Sequence, residues 1–302
     1  MTKKEKYAHL MLLAVAFIYG ANYVWAQFIM PNPISPNGFI VMRVLGATAL
    51  FWIFFKKYWV IPDKKDWPLI ILCGATGIAI NQLFFFNGLS ETAPLHAAII
   101  MTLTPIIVTA FSIFILKQKT TSIQWAGIII GLFGAIGFIG YGQMNPMHGA
   151  SFKGDVYILI NAISYSIYLI CVKPLMKKYH PLSLIPWIFT VGLCLVIPIG
   201  WNDIHILSLR EFNVIQWSIL AFVILGVTFL TYLFNIVAIK NLSPTHAGIY
   251  IYLQPPLAAL FSVLGGMSFL ELFNFPKITF TFMIILGIYL VSKGKNPIFK
   301  KS

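Results

Sequence analysis

The sequence is poor in acidic residues, in charge of either sign and in cysteine, and each shortage excludes something. Only 8 of 302 residues are Asp or Glu, and charged residues together make up 10% of the chain, against about 25% in an ordinary soluble domain. With 59% of residues hydrophobic, too little polar surface remains to clothe a water-soluble core. An integral membrane protein is expected. The three cysteines, Cys73, Cys171 and Cys194, sit in apolar stretches without CxxC spacing. Neither a disulfide framework nor a zinc site is indicated, and they read as small buried hydrophobes. HExxH, GxSxG and Walker patterns are missing as well, which removes the usual groups for hydrolysis and nucleotide chemistry. No enzymatic activity, metal or cofactor is expected.

What is present is a series of ten apolar segments, at about 8–30, 36–55, 68–88, 93–116, 123–141, 155–176, 184–201, 214–239, 244–268 and 276–293. Each meets or approaches the roughly 20 residues that a helix needs to cross the hydrocarbon core. The first follows Lys3, Lys4 and Lys6, as a signal peptide would. It is longer than a signal core and carries Asn22 and Gln27 near its end, so it reads as an uncleaved first helix. Alternating the segments across the membrane places 17 of the 21 basic residues on one side, leaving Lys153, Arg210 and Lys277 on the other and Arg43 within the second segment. By the positive-inside rule both termini are cytoplasmic. The net charge of +13 is therefore an orientation signal, and no nucleic-acid partner is implied. The expected partners are the lipid bilayer and a small-molecule substrate, with a monomer or homodimer both open.

The chain repeats itself. Residues 81–105, NQLFFFNGLSETAPLHAAIIMTLTP, align without a gap on 231–255, TYLFNIVAIKNLSPTHAGIYIYLQP, with 8 of 25 positions identical, among them Pro94/Pro244, His96/His246 and Pro105/Pro255. These blocks fall in segments three and four and in segments eight and nine, so the repeat unit is five helices. An odd number of spans inserts the second unit upside down. Inverted repeats of this kind suit a transporter, because two similar halves facing opposite sides supply inward-open and outward-open states of similar energy.

On these residues the chain resembles the EamA-domain family of the drug/metabolite transporter superfamily, in the ten-helix arrangement of its YddG-like exporters. The resemblance runs over residues 8 to 293 and is carried by YGANYVW in the first segment, Arg43, the paired blocks above, and the closing patterns QKTTSIQWAGIIIGLFGAIGF and ELFNFPKITFTFMIILGIYLV. Tyr19 and Gln118 depart from the family's pattern. The resemblance implies an all-α membrane protein of ten helices in a 5+5 inverted repeat. Its first unit is 1–141, an outer linker follows at 142–154, and the second unit with a basic cytoplasmic tail is 155–302. It implies a multi-pass transporter of a bacterial cytoplasmic (inner) membrane that exports an amino acid or similar metabolite, with a multidrug exporter as the alternative and a channel or membrane enzyme as the alternatives of another class.

Polar groups at membrane depth need a partner or a water-filled cavity, and those sharing a helical face are candidates to line one. They are Tyr19 and Asn22 in segment one; Gln82, Phe86 and Thr104 in three and four; Asn161, Tyr165 and Tyr168 in six; Thr231 and Asn235 in eight; and Tyr250 and Gln254 in nine. Such rings, amides and hydroxyls suit an organic solute. Pro105 and Pro255 each remove a helical hydrogen bond and free the carbonyl four residues earlier, at Met101 or Ile251. A hinge, a backbone contact to solute and a static kink all remain open. His96 and His246 begin segments on opposite sides of the membrane, too far apart to share a metal; they serve either as gates with a pH response or as ordinary interfacial histidines. Arg43, about seven residues from a helix end, is expected to snorkel to the interface, with an anion-binding or gating role as the alternative. Asp155 and Glu271 stand at helix ends and the other six acidic residues lie outside the segments. A buried carboxylate for proton antiport is thus not expected, and uniport or facilitated diffusion is preferred, with coupling through histidine or tyrosine as the alternative. Gly127, Gly131, Gly134 and Gly137 mark the fifth segment as a packing helix.

Overall fold

The computed structural model describes residues 3–114, 117, 120–144, 151–206, 212–242, 250–268 and 275–293, and among these every regular element is helical. That follows from the solvent: with no water in the bilayer core, helices satisfy their backbone groups internally. Among the described residues nine helical stretches are long and apolar enough to span, from Lys4–Phe28 to Phe275–Lys293, with mean hydropathy between 1.4 and 2.3. Gln254–Leu264 is a shorter apolar helix, in the ninth of the segments expected from sequence.

The elements are α1 (Lys3–Trp25), α2 (Pro36–Phe54), α3 (Trp67–Gly74), α4 (Ile80–Glu91), α5 (Pro94–Met101), α6 (Thr104–Phe114), α7 (Ser122–Met144), α8 (Phe152–Lys178), α9 (Pro181–Ile206), α10 (Val214–Ala221), α11 (Thr231–Asn241), α12 (Gln254–Leu264) and α13 (Phe275–Lys293). Their starts are chemically marked. The Ser35 hydroxyl accepts from the Gly38 amide at 3.1 Å ahead of Pro36 at the first turn, and Asn213 with Gln216 closes a reciprocal capping box before α10, the arrangements that satisfy orphan amides.

Among the described residues four spans are interrupted. A π-helical turn at Ala75–Ala79 joins α3 to α4, and a longer one at Phe222–Leu230 joins α10 to α11. The fourth span breaks between α5 and α6, directly before Pro105. The Met101 carbonyl, freed as expected by that proline, accepts from the Thr104 hydroxyl at 2.8 Å. Pro255 likewise occupies the first turn of α12.

Packing is pairwise. The first span packs on α11 and α12; α2 on α9 and the Phe222–Leu230 turn; α3 on α9; α4 and α6 on α8; and α7 on α13. The last pair owes its closeness to glycine. A Cβ on Gly127 would stand 2.6 Å from the Gly287 carbonyl, and one on Gly287 would stand 2.7 Å from the Gly131 backbone. Large apolar side chains such as Ile53, Phe133, Ile136, Val214 and Phe282 are exposed on the outside of the bundle, where lipid is their solvent. Cys73 is buried, but Cys194, expected inside, is exposed on α9: its helix turns that face outward, beside exposed Leu195.

Candidate substrate site

Arg43 does not snorkel. It is 6% exposed, and its guanidinium turns into the bundle, where Nε donates to Thr228 Oγ1 at 2.7 Å and Nη1 donates to Gln82 Oε1. The Phe86 ring centroid lies 4.9 Å from its Cζ, within cation–π range. The hydroxyl of Thr228 is available at this place because it lies within the π-helical turn, where it donates to the Val223 carbonyl five residues back at 2.9 Å. π-Bulges of this kind recur at functional sites.

Other polar groups extend from this centre across helix boundaries. Gln82 donates to Asn81 Oδ1 at 3.0 Å, and the Asn81 carbonyl accepts from Asn161 Nδ2 at 2.7 Å, tying α4 to α8. Tyr19 donates to Thr231 Oγ1 at 3.2 Å and Tyr23 to Gln254 Oε1 at 3.1 Å, tying α1 to α11 and α12. Arg43 is in electrostatic range of the Tyr19 and Tyr232 phenols, and Tyr232 is in range of Tyr165 and Tyr168. Tyr165 and Tyr168 are stacked, 5.8 Å apart. The Tyr168 ring fits because position 77 is glycine, where a Cβ would meet the ring at 2.4 Å. Two side-chain oxygens, Asn22 Oδ1 and Asn161 Oδ1, are buried without a hydrogen-bond partner, which is costly unless a donor arrives.

The candidates Tyr19, Gln82, Phe86, Asn161, Tyr165, Tyr168, Thr231 and Gln254 thus belong to one connected cluster. Asn22 is buried on α1 one turn from Tyr19, and Asn235 is half-buried on α11. Thr104 is buried and occupied with the Met101 carbonyl, at the break before Pro105. Tyr250 is elsewhere. Its hydroxyl meets His9 Nδ1 at 2.8 Å, and it packs with Ala8, Leu12 and Ala238. The expected stripe through Tyr250 and Gln254 assumed one continuous helix, but the turn before α12 intervenes. His246 lies outside the described residues. Arg43, Thr228, Tyr23, Asn81 and Tyr232 complete the cluster. Thr228 stands three residues before Thr231, a spacing that puts both on one helical face, and Asn81 and Tyr232 lie within the repeated blocks.

A second buried polar cluster lies at the end of the bundle where α5, α8 and α13 begin. Asp155, in the first turn of α8, is wholly buried. It accepts from the Thr92 hydroxyl at 2.5 Å and pairs with His96 Nδ1 at 3.2 Å. Lys277 is also buried and in electrostatic range of Asp155. Asp155 is at a helix end, as its position implied, yet it is not at a water interface: three helix ends converge over it. Beside it, a cavity of about 300 Å³ is lined by Gln27, Met30, Glu91, Thr92 and Met267. At the opposite end Lys178 bridges Asp63 and Asp66, and the Tyr179 hydroxyl donates to Asp66 at 2.6 Å.

The chain matches the sequence profile described as the EamA-like transporter family over residues 6–140 and 152–293. It is 24% identical to the Bacillus subtilis protein named uncharacterized transporter YyaM, covering 94% of this chain and 93% of that one. With uncharacterized inner membrane transporter YicL of Salmonella typhimurium the identity is 23%, over 94% of each chain. An Archaeoglobus fulgidus protein named uncharacterized transporter is 20% identical over 84% of this chain and 87% of its own. One crystal structure shares the fold with a TM-score of 0.62 at 16% identity, covering 95% of both chains.

Proposed function

The chain belongs to the EamA-like transporter family, within the drug/metabolite transporter superfamily, and is a multi-pass membrane transporter; from that premise we propose that it exports a small organic metabolite, an amino acid or a compound of similar size, across a bacterial cytoplasmic membrane by alternating access. The observation that carries this reading is the connected polar and aromatic cluster around Arg43, drawn from five spans and α12 and held mid-bundle by hydrogen bonds between helices. Sites at the meeting of broken helices near the midplane are the usual location in inverted-repeat carriers.

We read the chain as five helices plus five, with both termini cytoplasmic. The pairings support this. Shifting every span by five turns the contact between the third and sixth into that between the eighth and first, and the contact between the fourth and sixth into that between the ninth and first. The π-helical turns at Ala75–Ala79 and Phe222–Leu230 overlap at the 150-residue offset, as do the starts of α6 and α12 at Thr104 and Gln254. In this orientation the Lys178 end faces the cytoplasm and the Asp155 end faces outward. Opening to either side separates helices that the Tyr19–Thr231, Tyr23–Gln254 and Asn161–Asn81 bonds now join, so these bonds break and re-form during the cycle.

Purified protein in liposomes tests the reading. Saturable counterflow of a labelled amino acid is expected, and Asn235→Leu and Gln254→Leu should each reduce it while expression and folding persist. Normal rates in both variants remove the cavity assignment. Flux that never saturates indicates a channel, and counterflow confined to lipophilic cations indicates a multidrug exporter.

A further inference from the structure

Arg43 is a buried cation that forms no ion pair among the described residues. Its neighbours among the described residues are all neutral: a threonine hydroxyl, an amide oxygen and a phenyl face touch it, and two phenols are in electrostatic range. Among the described residues no acidic side chain is paired with it. Asp63 and Asp66 hold Lys178, Glu91 holds Lys153, Asp155 holds His96, Glu5 is in the first turn of α1 and Asp203 is near the end of α9. None forms an ion pair with Arg43. A guanidinium taken out of water loses several kcal/mol of hydration unless an anion compensates it. Two of its nitrogens are occupied, at Nε and Nη1, and the planar fork of arginine is shaped for a carboxylate or phosphate.

We infer that the transported solute supplies the missing charge: a carboxylate on the substrate binds Arg43, which makes Arg43 the residue that selects carboxylate-bearing solutes and rejects simple organic cations. This inference rests on the cluster being the transport site. Asn22 and Asn161 supply the complement. Each presents a buried carbonyl oxygen without a donor. Asn22 is one turn from Tyr19, and Asn161 is bonded to Asn81, the neighbour of the Gln82 that holds Arg43. A solute with a carboxylate at Arg43 and a hydrogen-bond donor toward these amides satisfies both deficits. Gln82 has a further part. Its neutral oxygen orients the guanidinium without neutralising it, and so leaves the charge for the substrate.

The test uses the purified full-length protein with the twenty amino acids and, for each, its carboxamide and its decarboxylated amine. Ligand binding is read as thermal stabilisation in detergent, and transport is read as counterflow in liposomes. At least one free acid should stabilise and exchange, with its amide and amine weaker by about tenfold or more, the size of one lost charge-assisted hydrogen bond. Arg43→Gln should abolish the response and Arg43→Lys should retain part of it. Gln82→Glu, which places a carboxylate beside the guanidinium, should raise the stability of the ligand-free protein and remove the response to acids. That variant decides the matter even where Arg43→Gln does not fold. Amides or amines that bind or exchange as well as acids overturn the inference and leave the transporter reading intact, and so does an unchanged response to acids in Gln82→Glu. Neither stabilisation nor counterflow by anything in the panel overturns the amino-acid reading and the inference together.

Discussion

Among the described residues two buried charged clusters occupy the bundle, and they differ in whether the protein gives the charged group a partner of opposite sign. Around Asp155 the protein supplies the partners: His96 and Thr92 bind the carboxylate and the cationic Lys277 stands within electrostatic range. Around Arg43 it does not, because hydroxyls, amides and rings surround the cation and no carboxylate joins it. A paired cluster can lock helix ends together without help from outside. An unpaired one is poised for a ligand, since binding relieves a deficit that folding left in place.

The largest expected effect separates the two. Asp155→Ala strips the anion from a buried pair and should cost about 3–5 kcal/mol of stability, read as a large fall in thermal unfolding temperature. Arg43→Met removes a cation that has no ion-pair partner among the described residues. It leaves the Thr228 and Gln82 oxygens without that donor, so it should cost less than Asp155→Ala, about 1–3 kcal/mol, while eliminating ligand response. Equal losses in both variants would erase the distinction. Next in size is Gly77→Ala. The added methyl meets the Tyr168 ring, and overpacking of this kind costs about 1–3 kcal/mol; counterflow should fall with it, because the ring belongs to the cluster. Gly287→Ala, at the contact of α7 and α13, should destabilise over a similar range of about 1–3 kcal/mol but leave the KM for counterflow unchanged. A raised KM would bring that helix pair into the transport site. The smallest effect is expected of Lys178→Ala, whose bridges to Asp63 and Asp66 are partly exposed and weakened by salt. The change should shrink further as ionic strength rises.

Much of this was legible in the chain. Apolar runs gave the spans because their length is dictated by bilayer thickness, and the prolines at 105 and 255 marked real interruptions because a missing amide cannot be restored. Local spacing also singled out Tyr19, Gln82, Asn161 and Thr231, which the fold brings into one polar cluster. What it missed was set by distant residues. Arg43 looked able to reach the interface by its position in α2, but Thr228, 185 residues away, and Gln82, 39 residues away, hold it inside. Asp155 stands at a helix end in the sequence, and its burial comes from partners about 60 residues away, Thr92 and His96. Tyr250 was placed with Gln254 by a spacing of four that holds only where the helix is unbroken.

The most direct measurement is the affinity of the wild-type protein for one free amino acid and for its carboxamide, taken by thermal stabilisation in the same preparation. Tighter binding of the acid by about tenfold or more, lost in Gln82→Glu, is expected if the substrate completes the Arg43 cluster. Equal affinities for acid and amide would contradict it.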